Sequence, residues 1–188
     1  MPRAHLGLKT SAFGAWKGYP TSPGAALEAW LATPRVQEKG WTPEKARERV
    51  QILTARVPLD TIWKLHTLAD AFVSASHGEA WDLPAYDACL CRSRLVDVGF
   101  GGSEDYAPPG SIAVWTEKSD GLEACHPGYA WAGARWAAVS RARLREGMRL
   151  CFEERVRGLE MEPERYSFAT VGAQMKALVE RCLSLIHI

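Results

Sequence analysis

The sequence lacks any apolar run of the roughly 18 residues that a membrane-spanning helix needs. The apolar core of a secretory signal is also missing behind Met1. Neither charge sign is in excess, since 23 Lys and Arg residues face 22 Asp and Glu residues, so no overall field attracts nucleic acid or anionic lipid. These absences exclude a membrane span and favour an intracellular, cytoplasmic protein. The first 27 residues contain no acidic side chain, which leaves an organelle transit peptide as the alternative.

Cysteine is scarce as well. The chain has five, an odd number without regular spacing, which argues against a disulfide framework and for reduced thiols. A metal site would have to combine Cys89 and Cys91 with Cys125 and His126. One residue separates the first pair and the second pair is adjacent, whereas structural zinc sites usually place about two to four residues between paired ligands. We therefore predict no metal and no cofactor, and keep these four residues as the candidate ligands to test.

Length and composition predict one folded domain. The 188 residues include 47% apolar and 24% charged side chains, which is typical of a globular protein that buries its own core. Glycine and proline concentrate near the start, so residues 1–24 are predicted to form an extended arm and residues 25–183 a helical domain. The final stretch, 183–188, resembles a translated sequencing adapter, and we interpret residues 184–188 as a non-native tail.

The stretch 129–157 carries the clearest helical signal, because it contains no proline and its small and apolar side chains recur on one face at helical spacing. We predict one long helix there, with a core side and a charged side. The residues of the core side are Gly133, Ala137, Ser140, Leu144, Met148, Cys151, Phe152 and Val156.

Shorter helices are predicted from apolar stripes and from end signals. Thr42 as N-cap and Pro43 as first residue start a helix that should continue to about Arg56. The glycine- and proline-rich stretch 99–128 breaks the pattern as an irregular insertion. The predicted fold class is therefore all-α, a single-domain bundle of five or six helices around the helix 129–157. The other predicted helices cover residues 25–32, 60–78, 82–96 and 167–182.

Two pairs of residues are candidates for catalysis. Asp70 lies one helical turn from His66, and a carboxylate in that position can orient an imidazole for proton transfer. Cys125 and His126 are a candidate nucleophile and base, although adjacent residues rarely present their side chains to each other. A solvated edge pair and a surface turn are the simpler interpretations. The glycine-rich turn 99–103 fails both the dinucleotide and the Walker patterns, so no phosphate loop is predicted.

The candidate binding residues are basic and aromatic. Arg141, Arg145 and Arg149 recur every fourth residue and form a basic ridge on the predicted long helix. Arginine forks bind carboxylate or phosphate groups, so the ridge suits an acidic protein or a nucleic acid, and a solvated helix face is the simpler interpretation. Eight tryptophans exceed what a small domain buries easily, and Trp16 and Tyr19 on the arm are placed to hold a partner.

The preferred functional hypothesis is a non-catalytic protein-binding or accessory protein that forms part of a larger assembly. It rests on the tryptophan surplus, the aromatic arm and the lack of a coherent catalytic set. A nucleic-acid-binding module that uses the arginine ridge is the first alternative. A small thiol- or histidine-dependent enzyme is the second.

Overall fold

The computed structural model describes residues 4–9, 22–77, 79–116 and 137–186. The fold is mixed α/β with two parallel sheets, so the predicted all-α bundle is wrong. Two compact units divide the chain, Met1–Leu59 and Asp60–Ile188. Among the described residues, no helix is both long and apolar enough to cross a membrane.

The first unit combines a two-stranded parallel sheet with three short helices. The Thr42 hydroxyl accepts a hydrogen bond from the Lys45 amide at 3.3 Å, which confirms the predicted helix start. Leu31, Val36 and Ala46 form the core of this unit. Its elements are β1 (Leu6–Lys9), α1 (Pro23–Leu31), α2 (Pro34–Glu38), α3 (Pro43–Arg49) and β2 (Val50–Leu53), with β1 paired to β2.

The second unit is built on a three-stranded parallel sheet with the order β3-β4-β5 and a separate antiparallel pair, β6-β7. A 3-10 turn (Pro163–Tyr166) precedes its last helix. The elements are α4 (Leu59–Leu68), β3 (Ala71–Val73), α5 (Leu83–Leu90), β4 (Arg94–Asp97), α6 (Ser103–Tyr106), β5 (Ile112–Ala113), β6 (Trp115–Thr116), β7 (Ala138–Val139), α7 (Arg141–Glu154) and α8 (Phe168–Ile186).

A helix covers each face of the three-stranded sheet. Successive residues of a strand point to opposite faces, so neighbouring side chains of β4 enter different clusters. Leu95 packs with Cys89 of α5, whereas Val96 packs with Cys151 of α7. Helix α7 approaches closely at Gly147, where a Cβ would lie 3.1 Å from Val96 Cγ1. The arrangement is a three-layer α/β/α unit.

The prediction of one long helix over 129–157 is wrong. Helix α7 contains 14 residues, and β7 ends directly before its N-cap. The Ser140 hydroxyl accepts a hydrogen bond from the Arg143 amide at 3.3 Å, and Arg155 ends the helix in a left-handed conformation. Ala138 and Val139 lie within the predicted helix but pair with β6 instead. Residues 129–136 lie outside the described ranges.

Three other predicted helices run too far, each into a parallel strand. The prediction for 42–56 contains β2, the one for 60–78 contains β3, and the one for 82–96 contains β4. A strand of three or four apolar residues prolongs the stripe of the helix before it, and periodicity alone does not separate the two. Pairing with a neighbouring strand decided the conformation in each case.

The stretch 99–128 is not an irregular insertion over its described part. Residues 99–116 contain α6, β5 and β6, and β5 pairs with the central strand β4. The prediction of a helix over 167–182 is confirmed, and the helix continues to Ile186. Residues 117–128 and most of the predicted arm lie outside the described ranges, although residues 6–9 of that arm form β1.

Candidate functional site

The carboxyl ends of β3, β4 and β5 meet at one edge of the parallel sheet. We call this the carboxyl edge, formed by residues 74–77 and 79–82 after β3 and residues 98–103 after β4. The opposite amino edge is formed by residues 66–70 before β3 and residues 91–93 before β4. Open α/β sheets bind ligands outside the carboxyl ends of their strands, which makes the first edge the place to look for a site.

Asp82 organises the first half of the carboxyl edge. Its carboxylate accepts the Ser74 hydroxyl at 2.6 Å through Oδ2 and the Ala85 amide at 3.3 Å through Oδ1, so it caps α5 and holds the segment after β3. Its backbone carbonyl accepts the Tyr106 hydroxyl at 3.2 Å. Asp82 has a φ of 57°, a left-handed conformation that is uncommon outside glycine. These bonds hold a strained residue at the start of α5.

A glycine turn forms the second half of the edge. Gly99 and Gly101 have φ values of 64° and 92°. The Gly102 amide donates to the Glu79 carbonyl at 3.2 Å, and a Cβ on Gly102 would lie 2.0 Å from the Ala80 carbonyl oxygen. Only glycine allows this close approach of two backbone segments. The turn is therefore fixed against residues 79–81.

Asp97, the last residue of β4, lies beneath the glycine turn and is only 3% exposed. Burial raises its pKa, the nearby charge of Asp82 acts in the same direction, and hydrogen bonds from the Ser103 side chain and the Gly99 backbone lower it. Its Oδ2 has no hydrogen-bond partner among the described residues. A buried carboxylate with an unsatisfied oxygen is costly, and such groups concentrate at functional sites.

Residues 137–140 join the ends of two strands. The Ala137 amide donates to the His77 carbonyl at 2.9 Å, after β3, and the Ser140 amide donates to the Val114 carbonyl at 2.9 Å, after β5. Helix α7 therefore begins at the carboxyl edge. It runs back to the start of β4, where Glu154 pairs with Arg94 at 2.5 Å. The N-terminus of a 14-residue helix is thus part of the same edge.

The predicted pair His66 and Asp70 lies at the amino edge. His66 is buried and its Nε2 has no hydrogen-bond partner among the described residues, whereas Asp70 is exposed. Burial lowers the pKa of His66, and the carboxylate that opposes this shift is Asp87 of α5. Burial also raises the pKa of Asp87. Asp87, whose charge acts on this imidazole, was not among the residues predicted from the sequence.

The predicted thiol ligands point to different surroundings. Cys89 is buried in the core cluster, and burial raises the pKa of its thiol to about 12, which makes it unreactive at neutral pH. The Cys91 thiol lies 3.9 Å from the Trp63 carbonyl. Among the described residues no three His, Cys, Asp or Glu side chains are arranged to hold a metal ion. Cys125 and His126 lie outside the described ranges, so the metal and thiol predictions remain untested.

The predicted basic ridge is present as exposed side chains on α7. Arg141 is the first residue of the helix and lies at the carboxyl edge, while Arg145 and Arg149 follow toward the amino edge. At 1.5 Å per residue, about 12 Å of helix separates the first arginine from the third. Trp16 and Tyr19 lie outside the described ranges.

Ser74, Glu79, Asp82 and Asp97 were not predicted from the sequence as site residues. A signal exists for two of them, because Asp97 follows the apolar pair Leu95-Val96 two residues before Gly99, and Ser74 follows the apolar run 71–73. Reading those runs as strands would have placed both residues at strand ends, where parallel sheets bind ligands.

Comparison of this chain with protein-family models, with curated proteins and with solved structures gives no match. Functional assignment therefore rests on the geometry of the two edges.

Proposed function

We propose that the second unit binds a small ligand that carries both hydroxyl groups and a phosphate, of the phosphorylated ribose or sugar type, at the carboxyl edge. The observation that carries the proposal is the fixed backbone of this edge. Asp82 is held in a left-handed conformation, which costs about 1–3 kcal/mol, and two glycines with positive φ form the facing turn. Strain of this kind is typical of ligand sites.

Carboxylates at this edge suit hydroxyl groups. The Glu79 side chain is exposed, and the Ser76 hydroxyl donates to its Oε1 at 2.7 Å, which directs the carboxylate. A carboxylate in this position of a parallel sheet accepts hydrogen bonds from ribose hydroxyls in dinucleotide-binding proteins. Hydrogen bonds to charged groups contribute about 1.5–3 kcal/mol each. The acidic half of the edge therefore favours a polyhydroxyl group.

The basic half suits a phosphate. Helix α7 has no acidic residue in its first turn, and Arg141 stands at its first position beside the carboxyl end of β5. The partial positive charge of a helix N-terminus and the guanidinium group of an arginine both attract anions. The buried Asp97 keeps the intervening glycine turn in place through Ser103 and Gly99.

Isothermal titration calorimetry with ribose 5-phosphate, uridine diphosphate and adenosine diphosphate tests the proposal. We expect at least one probe to bind, and Arg141→Ala and Glu79→Gln each to weaken it by about tenfold, because each removes one charged hydrogen-bonding group. Arg149→Ala and Glu153→Gln, which change the same residue types toward the other end of α7, should leave the affinity unchanged. Absence of binding for all probes, or equal losses in the control variants, would falsify the proposal.

A second candidate function is the protein contact predicted from the sequence, and α8 is the observation that favours it. Phe168 is 99% exposed, and Met175 and Leu178 are exposed by half or more. Large apolar side chains in a continuous exposed row are typical of a contact surface. The row alternates steps of three and four residues, which suits an apolar groove between two helices of a partner protein. Its members are Phe168, Val171, Met175, Leu178 and Cys182.

Photocrosslinking tests this second function. A photoreactive residue at position 178 should capture one partner protein, and the same group at position 176 on the polar side should not. The purified partner should then bind the wild-type protein and fail to bind Met175→Glu. Capture at both positions, or capture only of a second copy of this chain, would count against it.

A further inference from the structure

Phe100 is an aromatic residue without an aromatic neighbour at the carboxyl edge. Its side chain is 48% exposed, and it makes no ring contact among the residues that the structure describes. The other aromatic residues nearby pack on each other, with ring centroids 5.0 to 5.9 Å apart. They are Trp81, Tyr86, Tyr106 and Tyr166. Phe100 therefore differs from them in offering a free ring face.

The glycine turn holds this ring away from the core. Gly99 and Gly101 flank Phe100 with positive φ values, and the Gly101 amide donates to Glu104 Oε1 at 3.3 Å. The next amide, of Gly102, is bonded to the Glu79 carbonyl. Burying a phenylalanine side chain stabilises a fold by about 1.5–3 kcal/mol. Much of this stabilisation is lost at Phe100, because its side chain remains half-exposed. A fixed backbone and an exposed ring together make a preformed platform.

We propose that Phe100 stacks on the base of the bound ligand, so that the ligand is a nucleotide rather than a plain sugar phosphate. The inference rests on the proposed function, because it adds a base to the hydroxyl and phosphate groups. Nucleobases stack on aromatic side chains, and every base offers a π-face, so the ring needs no hydrogen-bonding partner to contribute. Phe100 lies on the turn between the Glu79 segment and the end of β4, within the same edge.

Three variants and three probes test the inference. Phe100→Ala should weaken binding of uridine diphosphate and adenosine diphosphate about fivefold to hundredfold, while ribose 5-phosphate, which has no base, keeps its affinity. Phe100→Trp should retain nucleotide binding, and its indole fluorescence should change on addition of nucleotide. Leu159→Ala removes an apolar side chain of similar exposure, 52%, outside the carboxyl edge and should change no affinity. Both substituted positions are exposed, so circular dichroism should show an unchanged fold.

The outcomes separate this inference from the proposed function. Wild-type binding of the nucleotides with no loss in Phe100→Ala overturns the stacking role and leaves the proposed function standing. Equal weakening of nucleotides and ribose 5-phosphate overturns the base contact, because the ring would then act on the sugar. Absence of wild-type binding for every probe overturns both.

Discussion

The two edges of the three-stranded sheet contain similar numbers of polar side chains but use them differently. At the amino edge, polar groups bind the main chain. The Arg157 guanidinium donates to the carbonyls of Ala69 and Cys91, both at 2.8 Å, and the Ser93 hydroxyl donates to the His66 carbonyl at 2.7 Å. At the carboxyl edge, carboxylates and hydroxyls hold the left-handed Asp82 and a glycine turn, whereas the left-handed Arg92 of the amino edge is held by main-chain hydrogen bonds to Cys89 and Gly158.

We infer from this difference that the polar residues of the amino edge close the fold, whereas those of the carboxyl edge shape the proposed site. A guanidinium that donates to two main-chain carbonyls is held in place by the chain itself and joins two segments of the fold. The carboxyl edge instead leaves Glu79 exposed and Phe100 half-exposed beside fixed backbone. Variants at both edges test whether the stability of the fold depends on one edge and ligand binding on the other.

The largest effect is expected for Gly102→Ala. The added Cβ would lie 2.0 Å from the Ala80 carbonyl oxygen, so the glycine turn and the segment 79–81 must separate. We expect a loss of about 3 kcal/mol or more in the free energy of unfolding, measured by urea denaturation. Gly172→Ala is the matched control, because a Cβ there meets no atom within 4 Å. It should stabilise α8 by about 0.5–1 kcal/mol, and a similar change in both variants would contradict the close approach.

The second effect concerns Arg157 at the amino edge. Arg157→Met keeps most of the apolar stem but leaves the carbonyls of Ala69 and Cys91 without these donors. We expect a loss of about 2–3 kcal/mol in the free energy of unfolding and no change in nucleotide affinity at temperatures where the variant is folded. Arg145→Met on the exposed side of α7 is the control and should change stability by about 0.5 kcal/mol or less. Lost nucleotide binding with normal stability would reverse the roles of the two edges.

Much of the local structure was predictable from the sequence. Thr42 and Pro43 start α3 as predicted, and the apolar stripe from Phe168 onward marks α8. These signals are local, because a cap and a helical stripe depend on residues within a few turns. Where each helix ends was not predictable in the same way, because strand pairing replaced the helix in the next residues.

The strands depend on partners far along the chain. Leu95 and Val96 read as the end of a helical stripe, yet Val96 pairs with Ile112 and Leu95 pairs with Phe72. No local rule distinguishes four buried strand residues from one more helical turn. The carboxyl edge exists only once those strands align, so Asp82 and Asp97 could not be grouped before the sheet was known. His66 was found from the sequence, but Asp87, the carboxylate whose charge opposes the effect of burial on its pKa, lies on another helix.

The third prediction uses the pH dependence of the carboxyl edge. Burial raises the pKa of Asp97 in the folded state above its unfolded value of about 3.9, so the folded protein binds the proton more tightly. The stability that this provides is present below about pH 4 and is lost as pH rises through the folded pKa. Asp97→Asn removes the titration, so its unfolding free energy relative to the wild type should increase with pH, measured in urea from about pH 4 to 7. If the difference in unfolding free energy stays constant across that range, burial does not destabilise the charged form of Asp97.

The fourth and smallest effect has the opposite sign and lies at the amino edge. Burial lowers the pKa of His66 below the unfolded value of about 6.5, although the charge of Asp87 partly opposes this. The stability that the neutral imidazole contributes is fully present above about pH 6.5. It is lost as pH falls through the folded pKa, because the unfolded chain takes up the proton first. The unfolding free energy of His66→Leu should therefore decrease less than that of the wild type between about pH 7 and pH 5. Asp97→Asn retains His66 and should show the same His66-dependent decrease as the wild type. Equal slopes in wild type and His66→Leu would mean that the imidazole is solvated, and the amino edge would then have a polar group available for binding after all.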